Sequence, residues 1–163
     1  MQERIVLTTS RDPSQRTRSF AKVISRYMNW YYLQRGKLSL EDLFGEHKKL
    51  IIIREIKGNP AFMDLYEGGR RRMTIRMNVG VIRKEKMDDS PVYFAGNPPF
   101  DPVILGALPK IPAGERLAMK LRPRKVVYVR KGGLMDFRYD GVRVLTVRLL
   151  SVYEGDNRGR RRA

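Results

Sequence analysis

Thirty residues near the amino end, TTSRDPSQRTRSFAKVISRYMNWYYLQRGK (Thr8–Lys37), combine the residue types and spacing that bind phosphate. A Ser/Thr-rich strand exit is followed by a capped basic helix, an aromatic strand and a basic turn containing Gly36. Over residues 1–37, eight Lys or Arg face two acids, Glu3 and Asp12. Backbone amides at strand exits and helix starts, set beside guanidinium and ammonium groups, suit a phosphate-rich partner. The candidate phosphate-binding residues fall into two groups. Ser10, Arg11, Arg35, Lys37, Lys57 and Asn59 lie at strand exits and turns, and Arg16, Arg18, Lys22 and Arg26 lie on the helix.

The elements that must position these residues follow from periodicity and punctuation. Arg4–Thr8 reads as a short buried strand. Asp12, Pro13 and Gln15 supply a helix cap, a first-turn proline and a capping-box partner. Phe20, Val23, Ile24 and Tyr27 then form the apolar stripe of a helix ending near Met28. Gln15, Arg18, Lys22 and Arg26 occupy the opposite face, within a sector of roughly 80° at about 100° per residue. Arg16 falls near the apolar stripe, where pairing with an acid and reaching round the cap to a ligand phosphate are both open to it. Trp30–Gln34 is a strand candidate that puts Trp30 and Tyr32 on one face and Tyr31 on the other, as core side chains or as base-stacking surfaces. Ser39 with Asp42 starts a second helix, and Lys49–Lys57 is a third strand with an apolar centre. This β-α-β-α-β order predicts parallel neighbours whose carboxyl ends share one edge, the usual ligand edge of open α/β sheets. The amino ends of both helices would add amides there.

Beyond Lys57 the pattern becomes two meanders joined by a charged linker, Lys84–Ser90, with Pro91 opening the second half. Phe62–Glu67 and Met73–Arg83 form the first meander; Lys125–Lys131, Leu134–Tyr139 and Val142–Val152 form the second. A strand at Val92–Ala95 and short helices at Pro102–Leu108 and Glu115–Leu121 lie between them. Met63-Asp64 and Thr74 recur as Met135-Asp136 and Thr146 at a constant offset of 72. Either two hairpins are alike by chance, or the chain holds an internal duplication. The expected organisation is one domain over 1–163, with halves at about 1–84 and 91–154 and a basic tail at 155–163.

The chain carries 34 Lys and Arg against 17 Asp and Glu, a net charge of +17, with no cysteine. The excess is concentrated at both ends: +6 over 1–37, +1 over 38–109 and +10 over 110–163. Such segregation fits a nucleic-acid-facing surface; a membrane surface or an acidic protein partner also attracts basic charge. Arg70–Arg72 at a hairpin tip and the arginines of residues 158–162 are expected to be mobile cations that add non-specific affinity. Absent cysteine removes disulfides, thiolate metal sites and Cys nucleophiles. No apolar run is long enough for a membrane helix, and the start of the sequence has no signal-peptide pattern, so a cytoplasmic protein is expected. The single histidine, His47, has no partner histidine, and the phosphate-binding, dinucleotide and nucleophile-elbow motifs are missing. No catalytic residue, metal site or cofactor is assigned.

The runs LTTSRDPSQRTRSFAKVISR, RGKLSLEDL and IIIREIKGNPAFMDLYE resemble the Brix-domain family of ribosome-biogenesis proteins in its short archaeal form. The resemblance is strongest over residues 5–67 and reaches Val142–Glu154. It implies an α/β fold of two related α/β halves with mixed sheets, each resembling the anticodon-binding domain of class IIa aminoacyl-tRNA synthetases. It also implies non-catalytic binding to ribosomal or pre-ribosomal RNA during subunit assembly. Ribosomal or assembly-factor proteins are the second class of expected partner, and a scaffold for acidic assembly proteins is the alternative function. Eukaryotic members carry long flanking extensions whose contacts do not carry over. The family motif spans Ser10, Arg11, Arg16, Arg18, Arg35, Gly36, Lys37, Gly58 and Asn59.

Overall fold

The computed structural model describes residues 4–110, 114–155 and 159–162. Ten strands form one mixed sheet, with a helix across the middle of one face and short helices at the two ends of the other. In chain order the elements are β1 (Val6–Thr9), α1 (Gln15–Met28), β2 (Tyr31–Tyr32), α2 (Leu40–Glu46), β3 (Lys49–Ile56), β4 (Asn59–Glu67) and β5 (Arg70–Ile82). They continue as β6 (Val92–Ala95), a 3-10 turn at Pro102–Leu105, α3 (Glu115–Lys120) and β7 (Lys125–Val129). A second 3-10 turn at Lys131–Gly133, β8 (Leu134–Tyr139), β9 (Val142–Glu154) and β10 (Gly159–Arg162) complete the chain.

The strand order is β2-β1-β3-β4-β5-β9-β8-β7-β6, with β10 also on β9. As expected, β1 runs parallel to β2 and β3. The middle of the order reads the same from both ends. β6 is parallel to β7 as β1 is to β3, and each half continues as an antiparallel meander. The pairs Asp64↔Thr74 and Asp136↔Thr146 sit at the sequence offset of 72, and both meanders slip register at Leu65/Tyr66 and Phe137/Arg138. The halves meet where β5 pairs antiparallel with β9, at Met77↔Leu149, again 72 residues apart. A local two-fold axis perpendicular to the sheet therefore passes through this pair.

Three expectations are corrected. The cap of α1 is Ser14: its Oγ accepts the Thr17 N–H at 3.1 Å, while Asp12 sits at φ 53° and turns the chain before the proline. The second strand shrinks to Tyr31–Tyr32, because its β1 partner is short and Leu33 O is taken by the Thr8 hydroxyl at 2.6 Å. The tail is a strand over 159–162, paired with β9 residues Ser151–Glu154; Arg158 lies outside the described residues. The second helix begins as expected, with a complete Ser39–Asp42 capping box.

Alternation sorts the side chains. Leu7, Ile51, Ile53, Met63, Leu65, Met135, Phe137 and Val147 face α1, which buries Phe20, Ile24, Tyr27 and Met28 against them in one continuous core. The helix belongs to the first half but reaches the second: Tyr27 meets Phe137 edge-on at 5.2 Å and donates its hydroxyl to Arg138 O at 2.8 Å. Each fully buried side chain of this size contributes roughly 1.5–3 kcal/mol, so the two halves are held by a shared core. On the far face, α2 places Leu43 on Val6, Leu50 and Ile52, and α3 places Ala118 on Tyr93 and Val126. Trp30 is core, its indole N–H on Leu105 O at 2.8 Å; Tyr32 packs beside it, and Tyr31 is half exposed. The Lys84–Ser90 linker has no regular structure, yet it buries Met87 and ties into both halves through Asp88 and Asp89.

Candidate nucleic-acid interface

The strand-exit edge brings together the segments that the sequence placed there. Ser10 N–H donates to Ile53 O at 3.0 Å, tying the exit of β1 to β3. Arg35 Nη1 reaches Thr9 O at 3.0 Å and its Nε reaches Leu38 O at 2.8 Å, tying in the turn after β2. The Ser14 hydroxyl donates to Gly58 O at 2.6 Å, bringing the start of α1 to the β3–β4 turn. That turn needs left-handed backbone at Lys57 (φ 50°) and Gly58 (φ 79°), which aims the Lys57 and Asn59 side chains outward. Arg11, Lys37, Lys57 and Asn59 are exposed and Ser10 is half-buried.

The amides expected to stand free at the start of α1 are partly occupied. Glu55 Oε2 accepts the Ser14 N–H at 3.2 Å and the Thr17 hydroxyl at 2.5 Å. A carboxylate at the positive end of a helix is favourable, and the Thr17 hydroxyl, aided by Ser14, lowers the Glu55 pKa. This edge therefore offers side-chain cations to an anion more than helix-terminal amides.

Along α1, Gln15, Arg18, Lys22 and Arg26 share the exposed face. Arg18 and Lys22 are presented outward; Arg26 pairs with Asp89 at 2.6 Å and donates to Met87 O. Arg16 takes neither course left open for it: its Nη2 donates to Val79 O at 2.7 Å and Gly80 O at 2.9 Å, pinning α1 to β5. Arg35 is only 8% exposed, and burial with the nearby Arg11 charge lowers its pKa. Arg16, Arg26 and Arg35 thus carry structural bonds, while Arg11, Arg18, Lys22, Lys37 and Lys57 keep their charges in solvent. Arg70 and Arg72 border an open groove of about 960 Å³ that also involves Arg4, Trp30, Lys49 and Val103.

A second basic surface escaped the sequence reading. On the far face, Asp64 and Asp136 are buried carboxylates at equivalent places in the two meanders. Asp64 accepts from Arg54 Nε at 2.5 Å and from the Thr74 hydroxyl at 2.7 Å. Asp136 accepts from Arg130, Arg138 and Arg143 at 3.0–3.2 Å. Burial pushes the Asp136 carboxyl up, but the hydrogen bonds from Arg143, Arg138 and Arg130 prevail and hold it at about 2. The Arg54 guanidinium lies 4.2 Å from the Phe62 ring centroid, and Arg130 lies 5.2 Å from that of Tyr128. Arg76 and Arg148, 72 residues apart, lie exposed on the same face. The Asp64/Asp136 repeat was visible in the sequence; what it organises was not, because Arg54, Arg130 and Arg143 come from neighbouring strands and turns and only Arg138 shares the strand of its aspartate.

Among the described residues no helix is long and apolar enough to cross a membrane, and no group of three His, Asp or Glu is placed to hold a metal ion. No family model matches the chain. A probable Brix domain-containing ribosomal biogenesis protein of Archaeoglobus fulgidus is 47% identical over 147 residues, which is 90% of this chain and 95% of the relative. A protein of the same description from Methanothermobacter thermautotrophicus is 42% identical over 100 residues, 58% of this chain and 63% of the relative. The crystal structure of Mil, an archaeal Imp4-like protein, superimposes with a TM-score of 0.71 at 25% identity, covering 93% of this chain and 99% of that one. A probable ribosomal biogenesis protein of Aeropyrum pernix shares the fold, with a TM-score of 0.66 at 22% identity over 91% of this chain and 94% of the other. With near-complete coverage of a relative at 47% identity, this chain belongs to the Brix domain-containing ribosomal biogenesis proteins.

Proposed function

We propose that the protein is a non-catalytic RNA-binding factor that holds pre-ribosomal RNA during its processing or during subunit assembly. The observation that carries this reading is the convergence of three basic segments, ending in Arg11, Lys37 and Lys57, on one hydrogen-bonded sheet edge beside the Arg18 and Lys22 face of α1. Phosphate contacts of this kind position an RNA without reading its sequence. We read residues 1–84 and 91–154 as two halves of one domain, each resembling the anticodon-binding domain of class IIa aminoacyl-tRNA synthetases. The repeated pairing at an offset of 72 supports that reading. The protein acts in the cytoplasm and needs no cofactor for this role.

Crosslinking the protein to RNA in cells and sequencing the attached fragments tests the proposal. Fragments concentrated in ribosomal RNA precursors are the expected result. Capture of acidic assembly proteins that survives nuclease treatment, without enriched ribosomal RNA, would replace RNA binding by the scaffold function.

A further inference from the structure

We propose that the far face of the sheet is a binding surface for double-helical RNA, with Asp64 and Asp136 fixing arginines against its two backbones. This deepens the RNA-binding reading above by assigning a second surface and the form of RNA that it takes. The α2 helix covers one end of this face over β1 and β3 and reaches Tyr66 near the end of β4 through Phe44, and α3 covers the other end over β6 and β7. The floor between them is made of β4, β5, β9 and β8, and spans roughly 15–20 Å at the usual strand spacing. Among the described residues, Arg54, Arg76, Arg130, Arg138, Arg143 and Arg148 gather on this face with the aspartates Asp64 and Asp136. The guanidiniums held by those aspartates keep between 32% and 48% of their side-chain surface in solvent.

Symmetry points to the form of the ligand. Arg54, Asp64 and Thr74 in the first meander correspond to Arg130, Asp136 and Thr146 in the second, about the axis through Met77↔Leu149. From the strand spacing and register, the two carboxylates lie roughly 25 Å apart, diagonally across the floor. An RNA double helix has matching two-fold axes perpendicular to its length, relating its antiparallel backbones. It presents phosphates and 2′-hydroxyls across a wide, shallow minor groove and is recognised largely by shape. A single strand has no such symmetry. It also gains most of its affinity by stacking bases on open aromatic rings. Here the rings of Phe62 and Tyr128 are stacked by Arg54 and Arg130 instead. A guanidinium hydrogen-bonded to a buried carboxylate is also held in orientation, with its remaining N–H groups directed at solvent.

The test uses the full chain, a base-paired RNA helix of about two turns and one of its strands alone, with binding followed by fluorescence anisotropy across a salt series. The paired variant Arg76→Gln with Arg148→Gln removes two exposed cations that take no part in the aspartate clusters and loses only the exposed bond from Arg148 Nη1 to Gly132 O at 2.8 Å and the Arg76 contact with the Phe62 ring, so the fold is expected to survive, as checked by circular dichroism. Helix affinity should fall about tenfold and the log–log salt slope by nearly two, at about 0.9 for each duplex phosphate that the protein no longer neutralises. A fall in affinity without change of slope, unchanged helix affinity, or equal affinity of the unmodified chain for the single strand would overturn the proposal. Asp136→Asn gives an independent arm: its three arginines lose their common anchor, and helix affinity should fall at neutral pH, with unchanged affinity of the folded variant overturning the proposal. If the unmodified chain binds no RNA, RNA binding itself fails. If it binds RNA and the far-face variant binds equally well, only the present inference fails.

Discussion

Asp136 shows how one residue couples stability to the surface above it. Its folded pKa, about 2, lies below the ordinary 3.8, so the unfolded chain binds the proton more readily. The stability that it contributes is present above about pH 4 and is lost as the pH falls towards 2. Asp136→Asn should therefore flatten the acid limb of the stability curve. It should also cost about 3 kcal/mol at neutral pH, where three arginines lose a buried counter-charge, as read by urea unfolding across the pH range. Lys125 works in the opposite sense. Fully buried, it donates to Asn29 Oδ1 at 2.9 Å, Asp88 O at 2.6 Å and Arg26 O at 3.4 Å, which joins the end of α1 to the linker and to β7. Burial, with Arg26 adding to it, lowers its pKa to about 8. Lys125→Met leaves those acceptors without their donor and should destabilise the fold by about 2 kcal/mol in denaturant titration. Neither role was legible in the sequence: the acceptors of Lys125 lie 37 to 99 residues away, and the arginines of Asp136, though within seven residues of it, are gathered on it by the meander rather than by a local motif.

At the scale of elements, α1 does two jobs with two faces. Its apolar stripe was plain from spacing alone, since Phe20, Ile24 and Tyr27 recur at helical period and meet the sheet as that period requires. The start of the helix was less plain. Asp12, Pro13 and Ser14 all suit the first turn, and the choice fell to Ser14 because its hydroxyl also meets Gly58 O in a turn 44 residues away. The strand β2 was overread because edge pairing depends on the length of its neighbour, which local sequence does not carry. On the outer face, Arg18→Glu with Lys22→Glu should weaken RNA binding about tenfold or more while leaving the melting transition within about 2 °C, since both side chains are exposed. Unchanged affinity would move the interface away from α1.

The whole molecule is a single sheet closed by symmetry at its centre, and this shaped what the sequence could reveal. Its first parallel strand set, the charged linker and the offset of 72 were all readable, because each is local or repeated. The β5–β9 junction, which turns two meanders into one sheet and places six arginines on one face, depends on pairing across about seventy residues and leaves no local signal. Charge acts at this scale: on the function proposed above, a chain of net charge +17, with basic residues on an edge and a face of its sheet, would grip ribosomal RNA through phosphates. The most direct measurement is the affinity of the unmodified chain for a structured ribosomal RNA fragment as salt is raised from about 50 to 200 mM. Several phosphate contacts should give a steep linear fall of log affinity with log salt, on the order of a thousandfold over that range for about six contacts. A flat response would contradict the account.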